Sequence, residues 1–320
     1  MIQSHRPLTE ARNPRLGAVK VGVNVINFGA ATTPAVLLGW ARMAQEAGYD
    51  AIMVSDHVVG TPDVAGRYAH FYDPLTTLAF FAGVTEGLEL GTTVLVLPYR
   101  HPLLVARMTA NLDRLSGGRF ILGVGVGWSK LEYAALNVPF NQRGAIADES
   151  LDLIEQAWTK DLLSFEGRFF RVHEAHTGPR PLRQPHPPVW VGGRSEAAMR
   201  RAVRFGTHWH PNWARLPWLR DEGWPRLREI AGSMGAKLPG LAPRIFLGIT
   251  DAPLAADERL AGHGTLDQVR GDVEAIANLG ADYLILDVYG PPRSYDPANP
   301  AYEGDWALLR MVADKVLGRP

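Results

Sequence analysis

Apolar strand-like stretches alternate with helix-like stretches along almost the whole chain, and this rhythm limits the fold more than any other feature. Residues 20–26 are rich in Val, and residues 34–47 place apolar side chains on one face at helical spacing. The predicted strands are residues 20–26, 51–55, 88–97, 119–127, 189–191, 207–213, 244–250 and 282–288. The predicted helices are residues 34–47, 74–85, 101–115, 147–158, 195–205, 219–234, 266–279 and 307–316.

This order predicts an α/β fold. Mostly apolar strands that are separated by helices form a parallel sheet covered by those helices. Eight such units favour a closed (β/α)8 TIM barrel over an open doubly wound sheet, which is the alternative.

One long gap interrupts the alternation, between the fourth and fifth strands. Besides the helix at 147–158, it holds a predicted hairpin at 165–170 and a proline-rich stretch at 179–188. We expect this insertion to help shape the active site, as long loops at a barrel's carboxyl end often do. Since no stretch has linker composition, residues 1–320 are predicted to form one domain.

Charge and cysteine content exclude several classes of protein. The 320 residues include 33 basic and 33 acidic side chains and no cysteine. A disulfide-stapled domain and a thiolate-ligated metal site are therefore excluded, and zero net charge argues against a nucleic-acid partner. No apolar run is long enough for a membrane span, and residues 1–17 lack an apolar signal segment, so a cytoplasmic location is expected.

Chemically useful residues follow several predicted strands, where a barrel places its active site. Asp56 and His57 follow the second strand, and they are the most obvious acid/base pair. We expect His57 to handle a proton with Asp56 orienting it, although such a pair can also serve only capping and packing.

Glycines recur at two further strand ends. Gly192 and Gly193 precede a predicted helix, so their backbone could approach a phosphate there, or simply form a tight turn. Gly123, Gly125 and Gly127 alternate within a strand and lie on one side of it, which predicts a flat wall for a planar ring or close packing. They do not match a dinucleotide fingerprint.

A metal centre is not expected. His208 and His210 have a ligand-like spacing, but only His57 is similarly placed at another strand end. The aromatic side chains beside them, which include Trp209, are interpreted as pocket or core residues.

Several motifs in fixed order resemble the luciferase-like monooxygenase superfamily. They are Pro98-Tyr99-Arg100-His101-Pro102, Leu112-Asp113-Arg114-Leu115-Ser116-Gly117-Gly118-Arg119, Leu122-Gly123-Val124-Gly125-Val126-Gly127-Trp128, Phe165-Glu166-Gly167 and Pro187-Pro188-Val189-Trp190-Val191-Gly192-Gly193. The resemblance is strongest to the branch that uses the deazaflavin coenzyme F420.

The resemblance implies a barrel that binds F420 or reduced FMN, and it assigns roles by position. Asp56 and His57 would contact the deazaflavin and assist proton transfer. A non-prolyl cis peptide would join Thr93 to Val94 behind the ring. The residues expected to bind the cofactor are Asp56, Thr93, Val94, Val96, Val126, Gly127, Gly192, Gly193, Ser195 and Glu196.

The main hypothesis is an F420-dependent oxidoreductase that transfers a hydride between the deazaflavin and a small organic substrate. The residues expected beside the substrate are Tyr99, Trp128, Trp209 and His210. Trp128 replaces an acidic residue of the sugar-phosphate dehydrogenases in this branch, which argues against that substrate.

Two alternatives remain open. One is a two-component FMN-dependent monooxygenase, which needs a separate reductase and oxygen. The other is a cofactor-binding protein without catalysis. The resemblance also implies a homodimer.

Overall fold

The computed structural model describes residues 16–62, 70–257, 259–290 and 302–319. Residues 1–15, on which much of the expectation about a signal segment rests, lie outside this part of the chain. None of the described helices combines the length and the apolar character needed to cross a membrane.

Most of the described strands belong to one parallel sheet. The strands, numbered in chain order, are Lys20–Val25 (β1), Ala51–Val54 (β2), Glu89–Thr92 (β3), Leu95–Val96 (β4), Phe120–Gly125 (β5), Leu163–Glu166 (β6), Arg171–Ala175 (β7), Val189–Gly192 (β8), His208–His210 (β9), Gly240–Leu241 (β10), Arg244–Phe246 (β11), Gly248–Ile249 (β12), His263–Gly264 (β13) and Tyr283–Asp287 (β14). The large sheet has the order β10-β9-β8-β5-β3-β2-β1-β14-β11, with β4 also paired to β5. All of its pairings are parallel, which confirms the predicted α/β class.

Helices connect most of the successive strands of this sheet, the exceptions being the short links from β3 to β4 and from β10 to β11. They are Pro34–Glu46 (α1), Pro74–Val84 (α2), Pro102–Leu115 (α3), Lys130–Ala135 (α4), Arg143–Thr159 (α5), Glu196–Phe205 (α6), Leu216–Trp218 (α7), Trp224–Ser233 (α8), Leu266–Asn278 (α9) and Tyr302–Val312 (α10). Local sequence starts several of them. Thr33 and Asp73 accept hydrogen bonds from the first turns of α1 and α2, and each is followed by a proline that favours the first helical position.

The sheet buries side chains on both faces, because successive residues of a strand point to opposite sides. Most buried apolar side chains belong to one large cluster that includes the apolar faces of the helices. A second, smaller cluster lies on the opposite face of the sheet. It consists of Met53 in β2, Ile121 in β5, Trp190 in β8, Ile285 in β14 and Ala242, which follows β10.

The predicted third strand, residues 88–97, is the clearest departure from the sequence-based expectation. It divides into β3 and β4, and the Thr93–Val94 bond between them is a cis peptide, as the resemblance implied. Val54 accepts a hydrogen bond from the Thr93 backbone N–H, while β4 pairs with β5 through Leu95 and Val96. The bond between Thr93 and Val94 therefore interrupts the regular strand pairing, which resumes at β4.

Several other boundaries differ from the prediction. The predicted strand at 244–250 divides into β11 and β12, and β12 pairs with β13 outside the large sheet. The predicted strand at 207–213 keeps only β9, and the predicted helix at 219–234 begins with a π-helical turn, Leu219–Gly223. In the gap after β5, α5 and the antiparallel pair of β6 and β7 lie close to the predicted helix and hairpin.

Glycines in β5 allow close approach to the broken strand. A Cβ atom at Gly123 would overlap the carbonyl oxygen of Thr92, and one at Gly125 would lie 2.5 Å from Val94 Cγ2. Of the two interpretations given for Gly123, Gly125 and Gly127, close packing therefore holds at Gly123 and Gly125, and the open wall is wrong there. At the first two positions, the space is filled by the segment that joins β3 to β4.

We expect Gly123→Ala to destabilise the fold by about 2–3 kcal/mol, because the new methyl group would overlap the Thr92 carbonyl oxygen, and this backbone cannot shift without disturbing the sheet. Gly83→Ala is the matched control, since the exposed Gly83 in α2 has open space around it and alanine favours a helix. Urea unfolding at equilibrium measures both variants. Equal stability of the two variants would contradict the expectation.

Candidate active site

A cavity of about 370 Å³ opens at the carboxyl ends of the strands of the large sheet. It is formed by residues that follow or end β1, β2, β5, β8, β9 and β14, together with the broken third strand and Arg244, the first residue of β11. The lining residues are Phe28, Ser55, Asp56, His57, Thr93, Val94, Val96, Tyr99, Gly125, Val126, Gly127, Trp128, Gly192, Gly193, His210, Asn212, Trp213, Arg244 and Tyr289. Most of the residues predicted for the site are therefore brought together here.

The imidazole of His57 is held by Glu132, a residue of α4. His57 Nδ1 lies 2.9 Å from Glu132 Oε2, and the glutamate side chain is fully buried. The Val58 backbone N–H donates to Oε1 at 2.6 Å, and the Tyr99 hydroxyl donates to Oε2 at 3.1 Å. Burial alone would raise the pKa of the Glu132 carboxyl, but the hydrogen bonds from His57, Val58 and Tyr99 outweigh it and lower that pKa.

This charge state fixes the tautomer of His57. A carboxylate can only accept, so Nδ1 carries the hydrogen and donates it to Glu132. In the neutral imidazole, Nε2 on the opposite side of the ring is then the nitrogen that can take up a proton.

Asp56 does not have the role expected for it. Its carboxylate accepts two hydrogen bonds from Arg100, at 2.7 and 2.9 Å, and one from the Val96 backbone N–H at 2.8 Å. Burial raises the pKa of Asp56, while the ion pair with Arg100 opposes that shift. The expectation that Asp56 orients His57 is corrected, because the carboxylate bonded to the imidazole is that of Glu132. Asp56, which follows β2, is instead bonded to Val96 at the end of β4 and to Arg100 beyond it.

A buried ion pair lies beneath the break in the third strand. Two nitrogens of Arg244 donate to Asp287 Oδ2, at 2.8 and 2.5 Å, and Arg244 Nη1 donates to the Thr93 carbonyl oxygen at 2.6 Å. Asn24 and Trp213 also donate to the Asp287 carboxylate. Side chains from β1, β11 and β14 thus support the Thr93 backbone.

His210 completes this support in its neutral form. Its Nδ1 lies 2.5 Å from the Ala242 carbonyl oxygen, which can only accept, so Nδ1 carries the hydrogen. Nε2 lies 2.8 Å from Thr93 Oγ1 and accepts from that hydroxyl. Burial lowers the pKa of His210 to about 4, so the ring is uncharged near neutral pH.

Val94 forms the floor of the cavity. Its two methyl groups lie over the backbone at Gly125 and Gly192, where Cβ atoms would come within 2.5 and 2.9 Å. The predicted cofactor residues Val96, Val126 and Gly127 line the same cavity. The apolar surface at this point is therefore supplied by the valine, which covers the backbone of the two glycines.

The glycine loop after β8 meets the N-terminus of α6. Gly193 has a φ of 117°, which favours glycine, and its carbonyl oxygen accepts from Trp209 Nε1 at 2.8 Å. Ser195 Oγ accepts from the Ala198 backbone N–H and caps α6. Exposed Glu196 forms ion pairs with Arg200 and Arg226. Neither Ser195 nor Glu196 is among the residues that line the cavity.

The expected substrate residues divide into two groups. Tyr99, Trp128 and His210 line the cavity, and Trp128 is 56% exposed at its mouth. Trp209 is fully buried behind the loop at Gly193, so the structure does not place it against a ligand.

Four functional residues were not predicted: Glu132, Arg100, Arg244 and Asp287. Ser129-Lys130-Leu131-Glu132 has the spacing of a capping box, and Ser129 Oγ does accept from the Glu132 backbone N–H at 3.1 Å. The glutamate side chain, however, binds His57. Because helix capping already explains a glutamate at this position, the sequence gives no sign that its side chain binds His57.

The comparisons with known proteins agree with this architecture. The family model described as luciferase-like monooxygenase matches residues 19–258. An FMNH2-dependent dimethylsulfone monooxygenase of Pseudomonas putida is 25% identical over 241 residues, which cover 74% of this chain and 61% of the relative. An F420-dependent glucose-6-phosphate dehydrogenase of Kineococcus radiotolerans is 34% identical over 177 residues, which cover 54% of this chain and 51% of the relative. The chain thus spans only about half to three fifths of these relatives.

A solved structure supports the fold. The coenzyme F420-dependent tetrahydromethanopterin reductase of Methanopyrus kandleri superposes with a TM-score of 0.74, covering 94% of this chain and 99% of that one. Its sequence is 16% identical, so the likeness bears on the fold alone.

Acid is expected to weaken the fold partly through His210. The pKa of His210 is about 4 in the folded protein, below the ordinary histidine value of 6.5, so the unfolded chain takes up the proton first as the pH falls. Stability is therefore lost between about pH 6.5 and 4, by about 3 kcal/mol. Urea unfolding of wild type and His210→Gln at about pH 7 and 4.5 measures this loss. We expect a smaller loss in the variant, and equal losses would contradict the expectation.

Proposed function

The chain belongs to the luciferase-like monooxygenase family, and on that basis we propose that it is a coenzyme F420-dependent oxidoreductase. It transfers a hydride between the deazaflavin and a small organic substrate. The observation that carries the proposal is the pair of His57 and buried Glu132 beside the cavity, because interconversion of an alcohol and a ketone needs a proton carrier as well as a hydride carrier.

We also propose that the parallel sheet closes into a (β/α)8 barrel. The ends of the sheet order, β10 and β11, are separated in the chain only by Ala242 and Pro243. The small buried cluster that joins β2, β5, β8 and β14 is what the interior of a barrel requires.

The residues present fit a planar ring that carries a phosphate. Val94 offers the ring a flat apolar floor, with Thr93, Val96, Val126 and Gly127 around it. A Cβ atom at Gly193 would lie 2.9 Å from Ala198 Cβ, so the glycine leaves room at the helix N-terminus, where backbone N–H groups favour an anion. In the proposal, Gly192 and Ser195 belong to this phosphate site. Asp56 lines the cavity and holds Val96 and Arg100 in place, whereas Glu196, which pairs with Arg200 and Arg226, lies outside the cavity lining.

In this site the chain supplies orientation and proton transfer. When bound, F420 accepts or supplies the hydride. His57 Nε2 takes the hydroxyl proton of an alcohol during oxidation, or returns it during reduction. Glu132 keeps the hydrogen on Nδ1 and stabilises the imidazolium that forms. The surrounding apolar side chains exclude water.

An FMN-dependent two-component monooxygenase is the second candidate function. The dimethylsulfone monooxygenase that aligns with 74% of this chain favours it. Such an enzyme needs a separate reductase to supply reduced flavin, and it needs oxygen. A homodimer and a cytoplasmic location remain proposals that fit either function.

A cofactor titration is the test that separates the two candidates. We expect the purified protein to quench F420 fluorescence on binding, and to bind oxidised and reduced FMN at least about tenfold more weakly. Gly193→Ala should weaken F420 binding about tenfold, because its methyl group fills the turn. Gly271→Ala in α9, where nothing lies nearby, is the control. Tight binding of FMN without binding of F420 would overturn the proposal.

The tautomer of His57 can be tested without any substrate. In Glu132→Gln the amide oxygen still accepts from Val58, and the amide NH2 then faces Nδ1, which must lose its hydrogen. We expect long-range ¹H–¹⁵N spectra at about pH 8 to show the hydrogen on Nδ1 in wild type and on Nε2 in this variant. Tyr99→Phe, which removes another donor to the same carboxylate, should keep the wild-type tautomer.

A wild-type tautomer in Glu132→Gln would contradict this assignment of Glu132. His57→Gln identifies the His57 signal in the spectra. Thermal melts of all variants show whether the fold is retained.

A further inference from the structure

The charged side chains that line the cavity, in the part of the chain that the structure describes, are already engaged with other protein groups. Asp56 is bonded to Arg100 at 2.7 Å, and Arg244 to Asp287 at 2.5 Å. His57 is bonded to Glu132, and His210, with its lowered pKa, is neutral. Asp56 and Arg244, the charged side chains at the cavity wall, therefore each already have a partner of opposite charge.

These ion pairs are well buried. The side chains of Asp56 and Asp287 are fully buried, and that of Arg244 is 9% exposed. Breaking such a pair leaves one charge uncompensated in a medium of low polarity, at a cost of several kcal/mol. A substrate cannot recruit either arginine or Asp56 without paying that penalty.

Two aromatic rings contact the imidazole of His57, and further rings extend from them along the cavity. Trp128 lies 6.0 Å from the imidazole and Phe71 lies 5.5 Å from it, both edge-on. Phe28 stacks on Phe71 at 5.3 Å and meets Tyr289 edge-on at 5.0 Å. Phe28, Trp128 and Tyr289 line the cavity itself. Such walls favour apolar carbon skeletons and do not compensate an anionic group.

From the paired charges and the aromatic walls we propose that the substrate is an uncharged, apolar alcohol or the corresponding ketone. Its oxygen lies at His57, and its carbon skeleton lies against Phe28, Trp128 and Tyr289. In the part of the chain that the structure describes, the cavity wall offers a carboxylate, phosphate or ammonium group on that skeleton no charged side chain that is not already paired, so a charged substrate would lose its hydration without an ionic partner there. The inference rests on the proposed function for the reaction itself, but the preference for an uncharged ligand concerns the cavity alone.

Matched ligands test the inference by calorimetry, with the protein both free of cofactor and saturated with F420. The probes are cyclohexanol and cyclohexanone, 4-hydroxycyclohexanecarboxylate and 4-aminocyclohexanol. We expect the uncharged compounds to bind at least about tenfold more tightly than either charged one. F420 absorbance then follows turnover of the compounds that bind.

A charge swap at the cavity mouth gives a second arm. Trp128 is exposed enough to replace without emptying the core. Trp128→Lys should improve binding of the carboxylate at least about fivefold relative to cyclohexanol. Trp128→Gln, which removes the ring without adding a charge, should weaken cyclohexanol and leave the carboxylate weak.

The outcomes separate this inference from the proposed function. Equal or tighter binding of a charged compound by wild type overturns the inference, as does failure of all four compounds to bind at millimolar concentration. If cyclohexanol is preferred but F420 does not bind, the proposed function fails and the apolar cavity stands. If F420 binds and the carboxylate is preferred, the substrate class alone is wrong.

Discussion

The buried ion pair between Arg244 and Asp287 is the interaction on which the site depends. It joins β11 to β14, and through Arg244 Nη1 it also holds the Thr93 carbonyl oxygen. A buried ion pair gains little net stability, because desolvation offsets most of the Coulomb attraction. Its consequence here is geometric, since it fixes the backbone where the third strand leaves the ladder. His210 adds a second bond to the same residue, through the Thr93 hydroxyl.

The break in the third strand in turn explains the neighbouring composition. With Thr93 held from below, Val94 is placed over the ends of β5 and β8. Side chains at Gly125 and Gly192 would collide with it, so these positions accept only glycine. The glycines and the valine therefore form one unit, in which the glycines supply space and the valine supplies the surface. Replacing either the glycines or the valine would therefore change the cavity floor.

Periodicity predicted the α/β class and most element positions because burial acts locally along a strand or a helix. The break after β3 came only from the resemblance, and no spacing in residues 88–97 indicates it. The contacts within the site were even harder to predict from the sequence. Asp56 and His57 are adjacent in sequence, which suggested a pair, but their carboxylate and imidazole have separate partners in Arg100 and Glu132. These partners lie far from residues 56 and 57 in the sequence, and a single sequence does not show which distant residues are in contact.

The same scaffold serves two cofactors among the relatives, and the site indicates why that is physically possible. In the proposed site, Val94, the glycines and the N-terminus of α6 would meet a ring and a phosphate through apolar surface and backbone, which do not distinguish a flavin from a deazaflavin. What differs between the two chemistries is the handling of protons and oxygen at the substrate. In the proposed reaction, the buried carboxylate of Glu132 serves proton transfer, because it fixes the tautomer of His57. The choice between cofactors is therefore best sought around Glu132, and not in the surfaces that hold the ring.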